Sequence, residues 1–228
     1  QAGIDEQRLQ GPIPTGWCSW YYFYTRVRDQ DIRANLETAR RIKDEIPLDF
    51  IQIDDGFEAR VGDWLEFSPD FPNGVFPLAQ EIRSAGFTPG LWLAPFIVDR
   101  RSKLAKEHAD WLLRGKFNMP VNAGFLWNHF ATALDLTIPD AVDYVCQVIK
   151  TAVYEWKFPY LKLDFLYAGA LAGKRTDIHK TRAQILRTAL QAIRATAGEQ
   201  TFLLGCGCPL GSGLGLMDAM RISADVDG

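Results

Sequence analysis

The chain has 228 residues, 47% hydrophobic and 23% charged, with a net charge of −3 at pH 7. That composition excludes a disordered chain, and the mildly acidic balance argues against a nucleic-acid polyanion as partner. Its four cysteines (Cys18, Cys146, Cys206, Cys208) form no CxxC pair and its histidines are three (His108, His129, His179), so neither a zinc site nor a disulfide scaffold is expected.

Residues 15–20 form a short apolar run after Pro14. Residues 29–46 read as a helix with Ile32, Leu36, Ala39, Ile42 and Ile46 on one face. A strand over 49–54 ends in Asp54-Asp55-Gly56, and 67–74 is a loop broken by Pro69, Pro72 and Gly74. Pro77 opens a helix and Gly86 closes it. A strand follows over 88–96, then a helical stretch at 104–113, an irregular one at 115–129 and a short strand at 133–137. Residues 139–156 form a helix with Val142, Val145, Cys146, Ile149, Val153 and Trp156 facing inward. Strands at 160–167, 201–207 and 219–226 and a helix over 174–197 complete the series.

Strands alternating with helices predict a parallel sheet. Six strand-helix units begin at 15, 49, 88, 160, 201 and 219. A (β/α)8 TIM barrel has eight units in about 250 residues, so the expected fold is such a barrel with about six units in this chain. The rival doubly wound sheet needs a GxGxxG or Walker loop, which the sequence lacks. No apolar run reaches membrane-spanning length and residues 1–10 are polar, so neither a membrane anchor nor a signal peptide is expected. The compartment is not fixed by that absence, and a cytoplasmic location is only slightly favoured. The start without Met suits an excerpt or a processed product.

Carboxylates crowd the predicted strand ends. Lys162 and Asp164 are two apart on one strand, so both side chains share a face, and in a barrel that face is inward. Burying both is costly unless they are paired or used; the cation would favour an ionised Asp164, as a nucleophile requires. The same pattern suits a structural ion pair. Arg221, Ser223 and Asp225 share a face of the last strand, and a second carboxylate opposite Asp164 suits a two-carboxylate glycosidase. A solvated loop residue is the alternative for Asp225. Asp54 and Asp55 face opposite ways unless the chain turns at Gly56; together they suit sugar hydroxyls, a metal or a cap. Trp17, Trp20, Trp92 and Trp127 lie near strand ends or loops and suit either core or sugar platform. In Gly205-Cys206-Gly207-Cys208 the reading is a pocket wall for Cys206 and inert packing for Cys208.

Taken in order, GWCSWYYFY (16–24), FIQIDDGF (50–57), GDWLEF (62–67), FPNG (71–74), GLWLAPF (90–96), LDLT (134–137), YLKLDFLY (160–167) and the stretch from LLGCGCPLG to MRISADV (203–226) resemble glycoside hydrolase family 36, the α-galactosidases and their relatives. The resemblance implies a (β/α)8 barrel flanked by β-sandwich domains that lie outside this chain, which would be the barrel portion of a longer, homo-oligomeric protein, incomplete at its C-terminus. It implies Asp164 as nucleophile in a K-x-D motif and Asp225 as acid/base in R-x-x-x-D. Asp54 and Asp55 would bind the galactose 4- and 6-hydroxyls, with Lys162, Trp92, Cys206, Arg221 and Trp20 completing the wall. The implied chemistry is metal-free double displacement on a terminal α-galactoside of melibiose or raffinose type, with no cofactor. Rival readings are a galactosyl-transferring relative of the raffinose- or stachyose-synthase type, an α-N-acetylgalactosaminidase, and a non-catalytic sugar-binding barrel.

Overall fold

The computed structural model describes residues 13–126 and 129–223. Asp225 and Trp127 lie outside the described residues. The described chain runs β1 (Gly16–Cys18), α1 (Trp20–Phe23), α2 (Asp29–Arg41), β2 (Phe50–Ile53), α3 (Phe76–Ser84), β3 (Thr88–Leu93), β4 (Ile97–Asp99), α4 (Lys103–Glu107), β5 (Gly124–Leu126), β6 (His129–Ala133), α5 (Pro139–Lys150), β7 (Tyr160–Leu163), α6 (Arg182–Ala197), β8 (Phe202–Cys206), α7 (Leu210–Gly213) and β9 (Ala219–Arg221). No helix among them is long and apolar enough to cross a membrane.

Six strands form one parallel sheet in the order β1-β2-β3-β7-β8-β9. These are the six units read from the sequence, and the sheet with its crossover helices is a partial α/β barrel. Strand parity divides the side chains between two faces. On one face Ile51, Ile53, Leu91, Leu93, Leu161, Leu163 and Leu203 are completely buried. They share one core with Leu36 of α2, Leu78 and Ile82 of α3, Val145 and Ile149 of α5, and Leu186, Leu190 and Ile193 of α6. Each such side chain contributes roughly 1.5–3 kcal/mol of burial.

The other face carries aromatic and polar groups. Phe50, Tyr160 and Phe202 stack in series, with ring centroids 4.5 and 5.1 Å apart. Gly90 lies on the strand between Phe50 and Tyr160, where a Cβ would meet the Tyr160 ring at 3.0 Å. Further along the same face come Gln52 and Asp54, Trp92, Lys162 and Asp164, Cys206, and Arg221. In parallel α/β sheets function collects at these C-terminal strand ends. The far end of the sheet is fixed by buried Arg194 of α6. It donates to the carbonyls of Leu216 and Thr201 and pairs with Asp218, whose carboxylate also accepts from the Leu203 N–H. That clamp sets β9, and with it Arg221, beside β8.

Several boundaries differ from the sequence reading. The helix expected at 174–197 starts at Arg182, behind a Thr181/Gln184 capping box. The preceding loop spends its backbone donors on Arg114 O and the Asp135 carboxylate. The helix expected at 29–46 ends at Arg41, leaving Ile46 exposed. The one expected at 139–156 is α-helical to Lys150 and finishes as a π-turn. The strand expected at 133–137 is instead β6, ending at Ala133, because Asp135 turns back to cap Thr137. β6 joins β4 and β5 in a separate antiparallel sheet, part of which falls in the stretch read as irregular.

Candidate active site

A cavity of about 160 Å³, open to solvent on one side, lies at the C-terminal end of the parallel sheet. Trp20, Asp54, Asp55, Trp92, Lys162, Asp164 and Arg221 all line it, together with Phe165, Tyr167 and Gly207. Residues from five strand ends, far apart in sequence, thus meet at one cavity. Cys206 is fully buried and is not among these lining residues. It stays close enough to feel Asp164: burial first, then that charge, push its thiol up to about 12, so it is neutral at physiological pH. Burial likewise raises Cys208 to about 11, in keeping with inert packing. Trp17 packs edge-on against Phe23 and belongs to the core rather than the cavity.

Asp54 and Asp55 share the cavity because β2 ends at Ile53 and the chain then turns. Gly56 makes the turn at φ +122°, where a Cβ would meet Thr25 O at 2.8 Å. Asp54 is enclosed by donors. Lys162 Nζ lies 2.9 Å from Oδ2, the Gln52 amide donates to the same oxygen, and the Cys18 thiol donates from 3.3 Å. The Asp55 N–H donates to Oδ1 at 3.0 Å.

The sequence reading coupled Lys162 to Asp164, but the direct ion pair goes to Asp54. Two residues along a strand are about 6.6 Å apart, whereas Asp54, at the end of β2, reaches Lys162 of β7 across the intervening β3 at contact distance. Burial alone would lower the Lys162 pKa; the Asp54 charge overrides it, with a further push from Asp164, and holds the ammonium above the usual lysine range.

Asp164 accepts from the Trp92 indole N–H at 3.3 Å and from the Phe165 N–H at 2.8 Å, and Arg221 approaches to 3.7 Å. The Phe165 contact requires an uncommon backbone. Phe165 sits in the left-handed region (φ 53°, ψ 31°), a conformation that costs a non-glycine residue roughly 1–2 kcal/mol. That strained turn aims the amide back at the preceding carboxylate. Trp92 is held in turn by Trp64, with ring centroids 5.6 Å apart.

Gln52 and Cys18 were missed in the sequence, although strand parity places Gln52 on the Asp54 face. Phe165, Tyr167 and Gly207 lie inside recognised motifs but carry no charge to single them out. Tyr167 is anchored by its hydroxyl, which donates to Ala123 O at 2.7 Å. Glu58 had no sequence signal; its burial shows only in three dimensions.

The melibiase family profile matches residues 27–192. Among solved structures, the Thermus thermophilus α-galactosidase TtGalA in complex with stachyose superposes with a TM-score of 0.84 at 38% identity, over 95% of this chain and 45% of that one. The same enzyme in complex with p-nitrophenyl α-D-galactopyranoside also superposes at 0.84. Of curated relatives, α-galactosidase 2 of Pediococcus pentosaceus is 26% identical over 68% of this chain, and α-galactosidase AgaA of Geobacillus stearothermophilus 28% over 64%. The matched region spans about a fifth of the length of either relative, 21% and 20%. On the family profile and the motifs together, this chain belongs to the melibiase family, glycoside hydrolase family 36.

Proposed function

We propose that the chain carries the galactose-binding and nucleophilic part of a retaining α-galactosidase that hydrolyses terminal α-galactosyl residues. The observation that carries this reading is the convergence of Asp164, the Lys162–Asp54 pair, Asp55, Trp92 and Arg221 on one cavity. The bound galactosides of the Thermus relative support it. The six parallel strands are read as six of the eight in a (β/α)8 barrel.

Asp164 attacks the anomeric carbon while Asp225 protonates the leaving oxygen. The galactosyl ester is then hydrolysed by a water that Asp225 deprotonates, and two inversions give net retention. The proton on Asp225 is favoured while Asp164 is anionic nearby and disfavoured once Asp164 is esterified, which suits both half-reactions. Trp92, Arg221 and the Phe165 amide fix the attacking carboxylate, so little reorganisation is left to the transition state.

Asp54 and Asp55 are acceptors for galactose hydroxyls. A buried acceptor placed for the axial 4-hydroxyl goes unpaired with glucose, and such sites reject the analogue by about 10⁴–10⁵. The test is Asp55→Asn, which keeps the shape and leaves the Lys162–Asp54 pair intact. Its kcat/KM on p-nitrophenyl α-galactoside is expected to fall about 100-fold, the loss of one charge-assisted hydrogen bond. Near-normal turnover by this variant would remove Asp55 from the binding site. With raffinose as donor, release of free galactose supports hydrolysis, whereas transfer to a second sugar would identify a galactosyltransferase.

A further inference from the structure

Gln52 and Cys18 reach the site through Asp54, and the proposed mechanism assigns them no role. Strand parity puts Gln52 on the face of Asp54, and the parallel register puts Cys18 of β1 beside Gln52. Gln52 is 2% exposed and Asp54 1%. About 6.6 Å separates alternate residues of a strand, and the long glutamine stem leans along β2 to span it. Opposite Gln52 on β3 stands Gly90, where a Cβ would crowd the Gln52 Cβ at 3.3 Å.

The contacts fall unequally on the two oxygens of Asp54. Among the described residues, Oδ2 accepts from three donors: the Gln52 amide at 2.5 Å, Lys162 Nζ at 2.9 Å and the Cys18 thiol at 3.3 Å. Among the same residues Oδ1 accepts from one, the Asp55 N–H at 3.0 Å. A carboxylate oxygen offers about two lone-pair sites, so Oδ2 is saturated and Oδ1 has one site left. The thiol is held on both sides: its sulfur accepts from the Gln52 amide at 3.2 Å while its proton goes to Oδ2. Burial, then the Asp54 charge, hold Cys18 well above the usual thiol range, so it acts as a donor.

We propose that Gln52 and Cys18 are positioning residues for Asp54: they saturate Oδ2 and stop the carboxylate from rotating, so that Oδ1 is the oxygen presented to one galactose hydroxyl. This rests on the galactose-binding reading of the cavity. Lys162 alone would hold one oxygen at a point and leave the carboxylate plane free to swing about it. Donors converging from β1, β2 and β7 fix the plane as well. An acceptor aligned before the sugar arrives loses little freedom on binding, and it separates a substrate that carries the hydroxyl from one that lacks it more sharply.

The test is kcat/KM of the full-length protein on p-nitrophenyl α-galactoside and on its 4-deoxy and 6-deoxy analogues, for the wild type and each variant. Residue and hydroxyl then form the two arms of a double-mutant cycle. In the wild type, removing the hydroxyl that Asp54 holds is expected to lower kcat/KM about 10- to 100-fold, the loss of one hydrogen bond to a charged group. Gln52→Met keeps the length of the stem and removes the donor. In that variant the same deoxygenation is expected to cost about tenfold less, while deoxygenation at the other position costs what it does in the wild type. Cys18→Ala shows the same pattern at about twofold, because a thiol is a weak donor, and Cys18→Ser returns most of it. The cysteine series stands even if Gln52→Met fails to fold. A deoxygenation cost that is unchanged, or relaxed equally at both positions, in Gln52→Met (in Cys18→Ala should the former not fold) overturns the inference while leaving the galactose site in place. A wild type indifferent to loss of both hydroxyls overturns the inference and the galactose reading together.

Discussion

Asp164→Asn is expected to lower kcat on p-nitrophenyl α-galactoside by about 10⁴-fold or more, with only a modest change in stability. Loss of a covalent nucleophile commonly costs on the order of 10⁴–10⁶ in kcat, because nothing else can form the intermediate. The amide has the shape of the carboxylate it replaces. Its single oxygen can satisfy either the Phe165 N–H or the Trp92 indole, which Asp164 accepts together. One donor is left poorly paired, at about 1–3 kcal/mol. Asp164→Gly should instead leave room for a small anion, and added azide should restore turnover with formation of β-galactosyl azide. A substantially active Asp164→Asn enzyme, or azide rescue that yields the α-anomer, would show that another group attacks the sugar.

The second large effect is on stability. Lys162→Met is expected to destabilise the fold by about 3–5 kcal/mol, the cost of removing one partner from a buried ion pair. The pair is 2.9 Å long, with both side chains at least nine-tenths buried. Without the ammonium, Asp54 keeps only the neutral donors Gln52, Cys18 and its own neighbour's amide. A melting-temperature decrease of about 6–20 °C follows for a domain of this size. Asp54→Ala carries a similar penalty in reverse, by stranding Lys162. Removing both ions, as Lys162→Met with Asp54→Leu, should recover most of the stability while abolishing activity, since a well-packed apolar replacement of a buried pair is often neutral. The pH dependence has a definite sign. The folded Lys162 pKa lies above its unfolded value of about 10.4. The contribution of the pair is therefore complete below that pH and is lost only as pH rises through the folded value. A Lys162→Met deficit that vanished near neutrality would contradict the ion-pair assignment.

The parallel sheet was legible because its strands are short apolar runs that alternate with helical periodicity. Parity then placed Lys162 with Asp164 and Arg221 with Ser223 on common faces without any tertiary information. Other features depend on contacts that no local pattern encodes. The capping box at Thr181 was present in the sequence, but the helical periodicity was extended across the loop that Asp135 holds. The antiparallel sheet of β4, β5 and β6 was missed because β4 and β5, at three residues each, carry almost no alternation signal. The partner of Lys162 was misread for a related reason: a strand neighbour is visible in sequence, whereas Asp54 reaches it only through the sheet. Glu58 is the extreme case, a charged residue in a polar loop that the Gly56 turn takes out of water.

The role of Asp164 is tested most directly by trapping the intermediate. The full-length protein, incubated with a fluorinated galactosyl probe that forms the glycosyl ester but hydrolyses slowly, is digested and mapped by mass spectrometry. The predicted result is one galactosyl adduct on the peptide that contains Asp164, lost when the label is chased by turnover. An adduct on any other peptide, or turnover of the probe with no covalent species at all, would contradict nucleophilic attack by this carboxylate.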